Sequence, residues 1–261
     1  MRELTFGYSP CPNDTFAFHA LAHGLVDAPF KIKPVLLDIE ELNRRAHKGE
    51  FDLTKLSVGA FGSVGKKYTM LRSGAALGHG VGPLVVTKHV KTLDEVAAGK
   101  IAIPGRETTA YQLLRLAAPA VKDVLEMRYD RILRAVAGGH AEAGLIIHES
   151  RFTYAEHGLL KLLDLGEWWE EQTGLPVPLA GICARSDMKP ETRLAAEVAI
   201  RASVQHAMDD PKASAAYVRA NAQEMSEEVC ARHIALYVNE HSLDVGEEGM
   251  KAIARLVAAA A

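Results

Sequence analysis

Short apolar runs alternate with amphipathic stretches along most of the chain, the pattern that builds mainly parallel sheets covered by helices. Residues 4–8 alternate as a strand and run into Ser9-Pro10-Cys11-Pro12-Asn13-Asp14, after which residues 15–23 form a helical pattern stopped by Gly24. The prolines fix the turn, and Asn13 or Asp14 can cap the helix. The N–H groups of its first turn would face a cleft and suit an anionic ligand. A strand over 30–37 precedes a surface helix over 40–48 with acids at its start, bases at its end and Gly49 as its stop. Phe51-Asp52-Leu53-Thr54-Lys55-Leu56-Ser57 alternates again and delivers Lys55 and Ser57 to the C-terminal end of a strand, where ligands of open α/β sheets bind. A solvated lysine and a helix N-cap are the plainer readings of these two residues.

Gly74, Gly78, Gly80 and Gly82 cluster before Pro83-Leu84-Val85-Val86-Thr87. They fit neither GxGxxG nor a P-loop, so they serve the backbone rather than a phosphate. A second α/β series follows: a helix over 92–98, a strand over 101–103, the turn Pro104-Gly105-Arg106-Glu107-Thr108-Thr109 and a helix over 110–116. Thr108 and Thr109 there open a helix and can offer hydroxyls and amides to a carboxylate, with an N-cap role for Thr108 as the alternative. A strand over 125–129 and a helix over 130–137 lead to Gly144-Leu145-Ile146-Ile147-His148-Glu149-Ser150, an apolar strand ending at His148. A histidine at such a strand end can exchange protons near neutral pH; its bland alternative closes the strand and bonds to backbone. Trp168 and Trp169 sit in an amphipathic helix where packing is the expected role.

A strand over 177–184 then returns toward the first series, and the tail is helical over 191–209, 212–221, 227–239 and 247–258, expected to pack on the first lobe. The pattern predicts two lobes, 1–86 with 185–261 and an inserted 87–184, joined by two crossovers with a cleft between them.

Composition narrows the function. The 261 residues carry a formal net charge of -3 with no Lys/Arg block, which argues against nucleic acid or an anionic membrane and for a small-molecule partner. Cys11, Cys183 and Cys230 lack the spacing of a zinc site or a disulfide framework, so a reducing, cytoplasmic setting is expected. The start lacks a signal-peptide pattern, and the Ala-rich end over 256–261, expected to be a helix end, is far shorter than a membrane span. His19 and His23 have helical spacing for a metal but lack the glutamate of a zincin, and no metal or cofactor is expected. Cys11, between two prolines at a helix start, is either a thiol of lowered pKa or a small buried residue that fixes the turn.

Several blocks carry a specific resemblance: Ser9-Pro10-Cys11-Pro12-Asn13-Asp14-Thr15-Phe16, Leu53-Thr54-Lys55-Leu56-Ser57, Gly80-Val81-Gly82-Pro83-Leu84-Val85-Val86, Pro104-Gly105-Arg106-Glu107-Thr108-Thr109-Ala110-Tyr111, and Gly144 through Tyr154. In that order, and with Asp244-Val245-Gly246-Glu247-Glu248-Gly249 near the end, the chain resembles the 1,4-dihydroxy-6-naphthoate synthase family of the futalosine route to menaquinone. The resemblance implies a type II periplasmic-binding-protein-like fold and a lyase that cleaves cyclic dehypoxanthine futalosine, with dihydroxyacetone as the second product. It implies His148 as proton acceptor and Lys55, Leu56, Ser57, Thr108 and Thr109 as substrate contacts, with Asp14 and Asn43 as further candidates. The competing class is a non-catalytic protein that binds or senses a small carboxylate in the same cleft. The sequence leaves the oligomeric state, a homodimer included, undetermined.

Overall fold

The computed structural model describes residues 2–223 and 226–260. Eleven strands are formed among them: β1 (Arg2–Tyr8), β2 (Phe30–Leu36), β3 (Leu53–Ser57), β4 (Tyr68–Met70), β5 (Ala76–Gly78), β6 (Leu84–Thr87), β7 (Ile101–Ile103), β8 (Val124–Glu126), β9 (Ala143–Ile146), β10 (Leu160–Asp164) and β11 (Val177–Arg185). They make two sheets. The first has the order β2-β1-β3-β11-β4, with β5 also paired to β11, and the second has the order β10-β6-β9-β7-β8.

Strand direction explains how the sheets are joined. In the first sheet β1 is parallel to β2 and β3, and β11 is antiparallel to β3, β4 and β5, so β11 is the one reversed strand. In the second, β7 is parallel to β8 and β9, and β6 is antiparallel to β9 and β10, so β6 is the reversed one. Each reversed strand is the one through which the chain enters a sheet from the other lobe. The crossings therefore fall earlier than sequence placed them: β6 already pairs in the second sheet from Leu84, and β11 in the first from Val177. Strand patterning alone cannot assign a strand to one of two sheets, because both bury their faces.

Local chemistry matches these elements. Pro34 lies in β2, whose only partner among the described strands is β1, so an edge position accommodates its missing N–H. Asp38 caps helix Ile39–Ala46 by accepting from the Glu40 amide at 3.0 Å. Thr92 and Glu95 form a capping box on helix Leu93–Ala97. Trp169 is buried and donates from Nε1 to the Pro176 carbonyl at 3.1 Å, which bears out its packing role.

The first core joins β1, β3 and β11 to helices Pro12–Ala22 and Pro190–Asp209, through Phe6, Tyr8, Phe18, Ile182, Ile200 and Val204. A larger core includes Val85, Ile101 and Leu145 of the second sheet together with Tyr237, Val245, Ile253 and Leu256 of the tail. The tail thus packs on both lobes rather than on the first alone. Gln112 reinforces this by donating to the Leu256 carbonyl at 3.0 Å. Helix Gly246–Ala260 closes the described chain, Ala261 lying outside the described residues, and no described helix is long and apolar enough to cross a membrane.

Candidate active site

Where the two sheets face each other lies a cleft of about 600 Å³, partly open to solvent and of the size of a small-molecule site. Lys55, Ser57, Thr108, Thr109 and His148 all line it. Five sequence-predicted residues from three separate segments are thereby brought to one cavity. An apolar wall, including Ile39, Val81, Leu179 and Tyr237, faces them.

β3 delivers Lys55 and Ser57 to the cavity because alternate side chains share a sheet face. The same alternation sends Leu56 the other way, into a cluster with Ala46, Val64, Tyr68 and Cys183. The Leu56 side chain therefore does not line the cavity, which leaves its backbone as the part of this expected substrate contact that could meet a ligand. Asp14 is also absent from the wall. It stands behind Lys55 as its ion-pair partner, both groups buried. The Asp14 carboxylate further accepts from the Ser9 amide at 3.1 Å and from Asn13 Nδ2 at 2.9 Å. Such a buried pair fixes the ammonium in place rather than leaving it a mobile surface charge.

Asn43 likewise supports the wall from behind. Its Nδ2 donates to Ser57 Oγ at 3.0 Å, and its Oδ1 accepts from the Ser57 amide at 3.0 Å. The two threonines have their hydroxyls engaged within the protein. Thr108 Oγ1 accepts from the Tyr111 amide at 3.2 Å and donates to the Gly105 carbonyl at 2.8 Å, the N-cap role that sequence left as the alternative. Thr109 Oγ1 donates to the Leu179 carbonyl at 2.7 Å and accepts from the Gly59 amide at 3.0 Å. What this corner can offer a ligand is the amides of Thr109 and Ala110 at the start of helix Thr109–Ala117, since the Tyr111 amide is already held by Thr108.

Contacts between the lobes converge on the loop that carries these threonines. Both Glu40 carboxylate oxygens accept from the Glu107 amide, at 3.3 and 3.1 Å, and His47 Nε2 lies 2.9 Å from Glu107 Oε1. Burial pushes the Glu40 carboxyl up to about 7 against the opposing pull of the Glu107 amide. Gly105 makes this approach feasible: a Cβ there would lie 2.2 Å from the Glu40 carboxyl carbon.

His148 sits two residues beyond β9, which ends at Ile146 rather than at the histidine itself. Its φ is 57°, a left-handed conformation unusual for a residue with a Cβ, and residues so held cluster at functional sites. The ring packs edge-on to Tyr129 with centroids 4.7 Å apart. Its Nε2 is out of solvent and has no hydrogen-bond partner. Burial, assisted by the Lys55 charge, pushes the imidazole down to about 3, so it stands neutral.

Sequence reasoning missed the residues that face His148 from the tail. Helix Glu227–Tyr237 contributes His233 and Tyr237 to the cavity wall, and the first turn contributes Ser9 and Asn13. No local pattern marks His233, since a single histidine in an amphipathic helix is unremarkable until the tail docks. Its ring lies 6.1 Å from that of His148, inclined by 28°.

Cys11 is buried and accepts from Ser9 Oγ at 2.9 Å. Burial, and then Glu149, push its thiol up well above the usual cysteine range. That overturns the reading of Cys11 as a thiol of lowered pKa; the helix start does not outweigh desolvation here. Cys11, His148 and Glu149 nonetheless place ligand atoms within 4.8 Å of one another, the grouping among the described residues that could hold a metal ion. The Tyr129 hydroxyl stands among them, 3.2 Å from Glu149 Oε1 and 3.9 Å from Cys11 Sγ.

Two lobes of mainly parallel sheet with reversed crossover strands and a cleft between them define a periplasmic-binding-protein-like fold. Solved structures agree: the ligand-binding component of an ABC-type import system from Staphylococcus aureus matches with a TM-score of 0.72 at 15% identity, over 99% of this chain and 91% of that one. An alkanesulfonate-binding protein from Xanthomonas axonopodis matches at 0.70 and 15%, over 91% and 84%. At these identities the likeness concerns fold alone. A crystal structure of a protein from Archaeoglobus fulgidus is much nearer, with a TM-score of 0.94 and 37% identity over 99% of this chain and 96% of that one.

The chain belongs to the menaquinone biosynthesis family, whose sequence model matches residues 4–261. It is 54% identical to a 1,4-dihydroxy-6-naphtoate synthase of Thermus thermophilus over 100% of this chain and 94% of that protein. It is 44% identical to the protein of that name from Streptomyces coelicolor over 99% and 93%.

Proposed function

We propose that this protein is a carbon–carbon lyase that converts cyclic dehypoxanthine futalosine to 1,4-dihydroxy-6-naphthoate and dihydroxyacetone, with His148 as the general base. The observation that carries the base assignment is the buried, partnerless Nε2 of a neutral histidine on the wall of the cavity. A histidine in that state can accept a substrate proton without first losing one of its own. The names of the full-length relatives support the reaction, and a cleft of small-molecule size lined by His148, Lys55 and Ser57 supports a site for it.

The proton balance is closed. After the hemiacetal opens and its aldehyde isomerises to the neighbouring ketone by proton transfer, loss of the proton from the hydroxyl on the ring carbon turns that carbon into a carbonyl as its bond to the three-carbon fragment breaks. The bonding pair passes to the carbon beside the fragment's ketone, which takes up one proton to become dihydroxyacetone, and the ring diketone enolises to the aromatic diol. No water, oxidant or reductant is consumed. Lys55, the Ser57 hydroxyl and the Thr109 and Ala110 amides at the start of helix Thr109–Ala117 would hold the carboxylate and negative charge developing on oxygen. A protein using this chemistry is expected to work in the cytoplasm.

The test is incubation of purified protein with cyclic dehypoxanthine futalosine, product being followed by mass-resolved chromatography for wild type and His148→Ala. Product from wild type, with turnover about 10² to 10⁴ lower in the variant and binding retained, is the expected result. A variant that turns over like wild type overturns the base assignment. Wild type that binds the compound unchanged makes the protein a binding or sensing module instead.

A further inference from the structure

We propose that His233 is a second hydrogen-bond acceptor of the cleft, holding through Nδ1 a hydroxyl of the substrate's polyol end beside the hydroxyl that His148 deprotonates. The inference rests on the lyase reading above for the identity of the polyol.

The argument begins with the tautomer. Asn13 Nδ2 donates to Asp14 Oδ1 at 2.9 Å, and Asp14 is itself held by Lys55 and the Ser9 amide. The Asn13 amide is thereby oriented with Oδ1 toward His233 Nε2, 2.9 Å away. An amide oxygen only accepts, so Nε2 carries the proton and Nδ1 of the neutral ring is a bare lone pair. That Nδ1 is buried and has no hydrogen-bond partner. Glu149 Oε2 is 4.0 Å from it, beyond hydrogen-bond range, and an ionised carboxylate could not donate to it in any case. Burial, with His148 and Lys55, holds the His233 ring neutral.

Two imidazole nitrogens without partners, Nε2 of His148 and Nδ1 of His233, therefore lie in rings stacked 6.1 Å apart in one cavity. Buried polar atoms are almost always satisfied, and such exceptions at a cleft await a ligand. The missing partner of His233 Nδ1 must be a donor, and His148 Nε2 requires the same when it acts as the base. Two acceptors lining one cavity disfavour a carboxylate and suit hydroxyls, so the polyol end belongs at the histidines and the anionic end at the start of helix Thr109–Ala117. The His233 ring is fixed for this task by Tyr237, with centroids 4.6 Å apart, and by the Asn13 bond.

Two measurements test the proposal. In protein labelled with ¹⁵N-histidine, the His233 Nδ1 resonance of the free wild type should be that of an unprotonated nitrogen and should move on adding dihydroxyacetone. A protonated Nδ1, or a resonance indifferent to dihydroxyacetone, overturns the proposal. In the second, His233→Gln keeps a donor toward Asn13 and removes the Nδ1 acceptor, which should raise KM about tenfold with a smaller change in kcat. An unchanged KM in that variant, with melting temperature preserved, also overturns it. Turnover by wild type reports separately on the lyase reading, and the spectroscopic arm needs neither turnover nor a folded variant.

Discussion

Asn43 grips Ser57 from two sides, its amide nitrogen bonded to the hydroxyl and its amide oxygen to the backbone N–H, each at 3.0 Å. Both residues are buried, so truncation of Asn43 strands the Ser57 amide without water. Asn43→Ala should lower stability by about 1–3 kcal/mol in urea unfolding and raise KM as Ser57 loses its fixed position. Asn43→Ala with wild-type KM and midpoint would show that Ser57 needs no such support.

Glu40 gives the fold a pH dependence whose sign follows from burial. Its folded carboxyl titrates at about 7, above its ordinary value of 4.5, so the folded state holds the proton more tightly than the unfolded chain. The stabilisation is therefore full below about pH 4.5 and is lost as pH rises toward and through about 7. The groups facing it are Arg44, with Nε at 3.5 Å, and the Glu107 carboxylate and amide, with the Arg106 amide beside them. Between pH 5 and pH 8 this site should cost wild type on the order of 3 kcal/mol, a loss absent in Glu40→Gln. Parallel pH profiles of unfolding free energy for the two proteins would contradict it.

Gly105 and Glu40 should be energetically coupled. Gly105→Ala puts a methyl group where the Glu40 carboxyl lies, so it should destabilise the protein by about 1–3 kcal/mol and weaken substrate binding. In a Glu40→Ala background the same change should cost less, because its clash partner is gone. Additive effects in the double-mutant cycle would mean the Gly105 loop is held by something else.

The pH profile of kcat/KM should lack an inflection near 6.5. His148 in the free enzyme titrates at about 3, so its basic form persists as pH falls through the usual histidine range. An acid limb centred near 6.5 that disappears in His148→Asn would place the free imidazole in a wetter setting than the structure does.

Thr108 acts through its helix. Its hydroxyl is occupied by the Tyr111 amide and the Gly105 carbonyl. Thr108→Val should lower stability by about 1 kcal/mol, and Thr108→Ser should restore it. A large KM change in Thr108→Val at unchanged melting temperature would mean that the hydroxyl leaves its cap to contact substrate.

How much of this was legible in the sequence depends on the range of the forces involved. Alternation along residues 51–57 was enough to place Lys55 and Ser57 together on one face, and the same alternation, read strictly, turns Leu56 away from it. Strand-then-turn punctuation located His148 and the Thr108-Thr109 helix start, because turns and caps are set by neighbours a few residues apart. These are local rules, and a single chain carries them in full.

Tertiary structure decided the rest. Whether Asp14 meets substrate or stands behind Lys55, whether Cys11 is activated or desolvated, and which histidine of the tail faces His148 all depend on how distant segments pack. Burial outweighs the local helix start at Cys11, and docking of the tail across both lobes brings His233 to the cleft. The sequence by itself determined the alternating elements, their caps and the family blocks. The partners across the cleft were decided only by the fold, since desolvation and long-range contact have no signature in nearest-neighbour pattern.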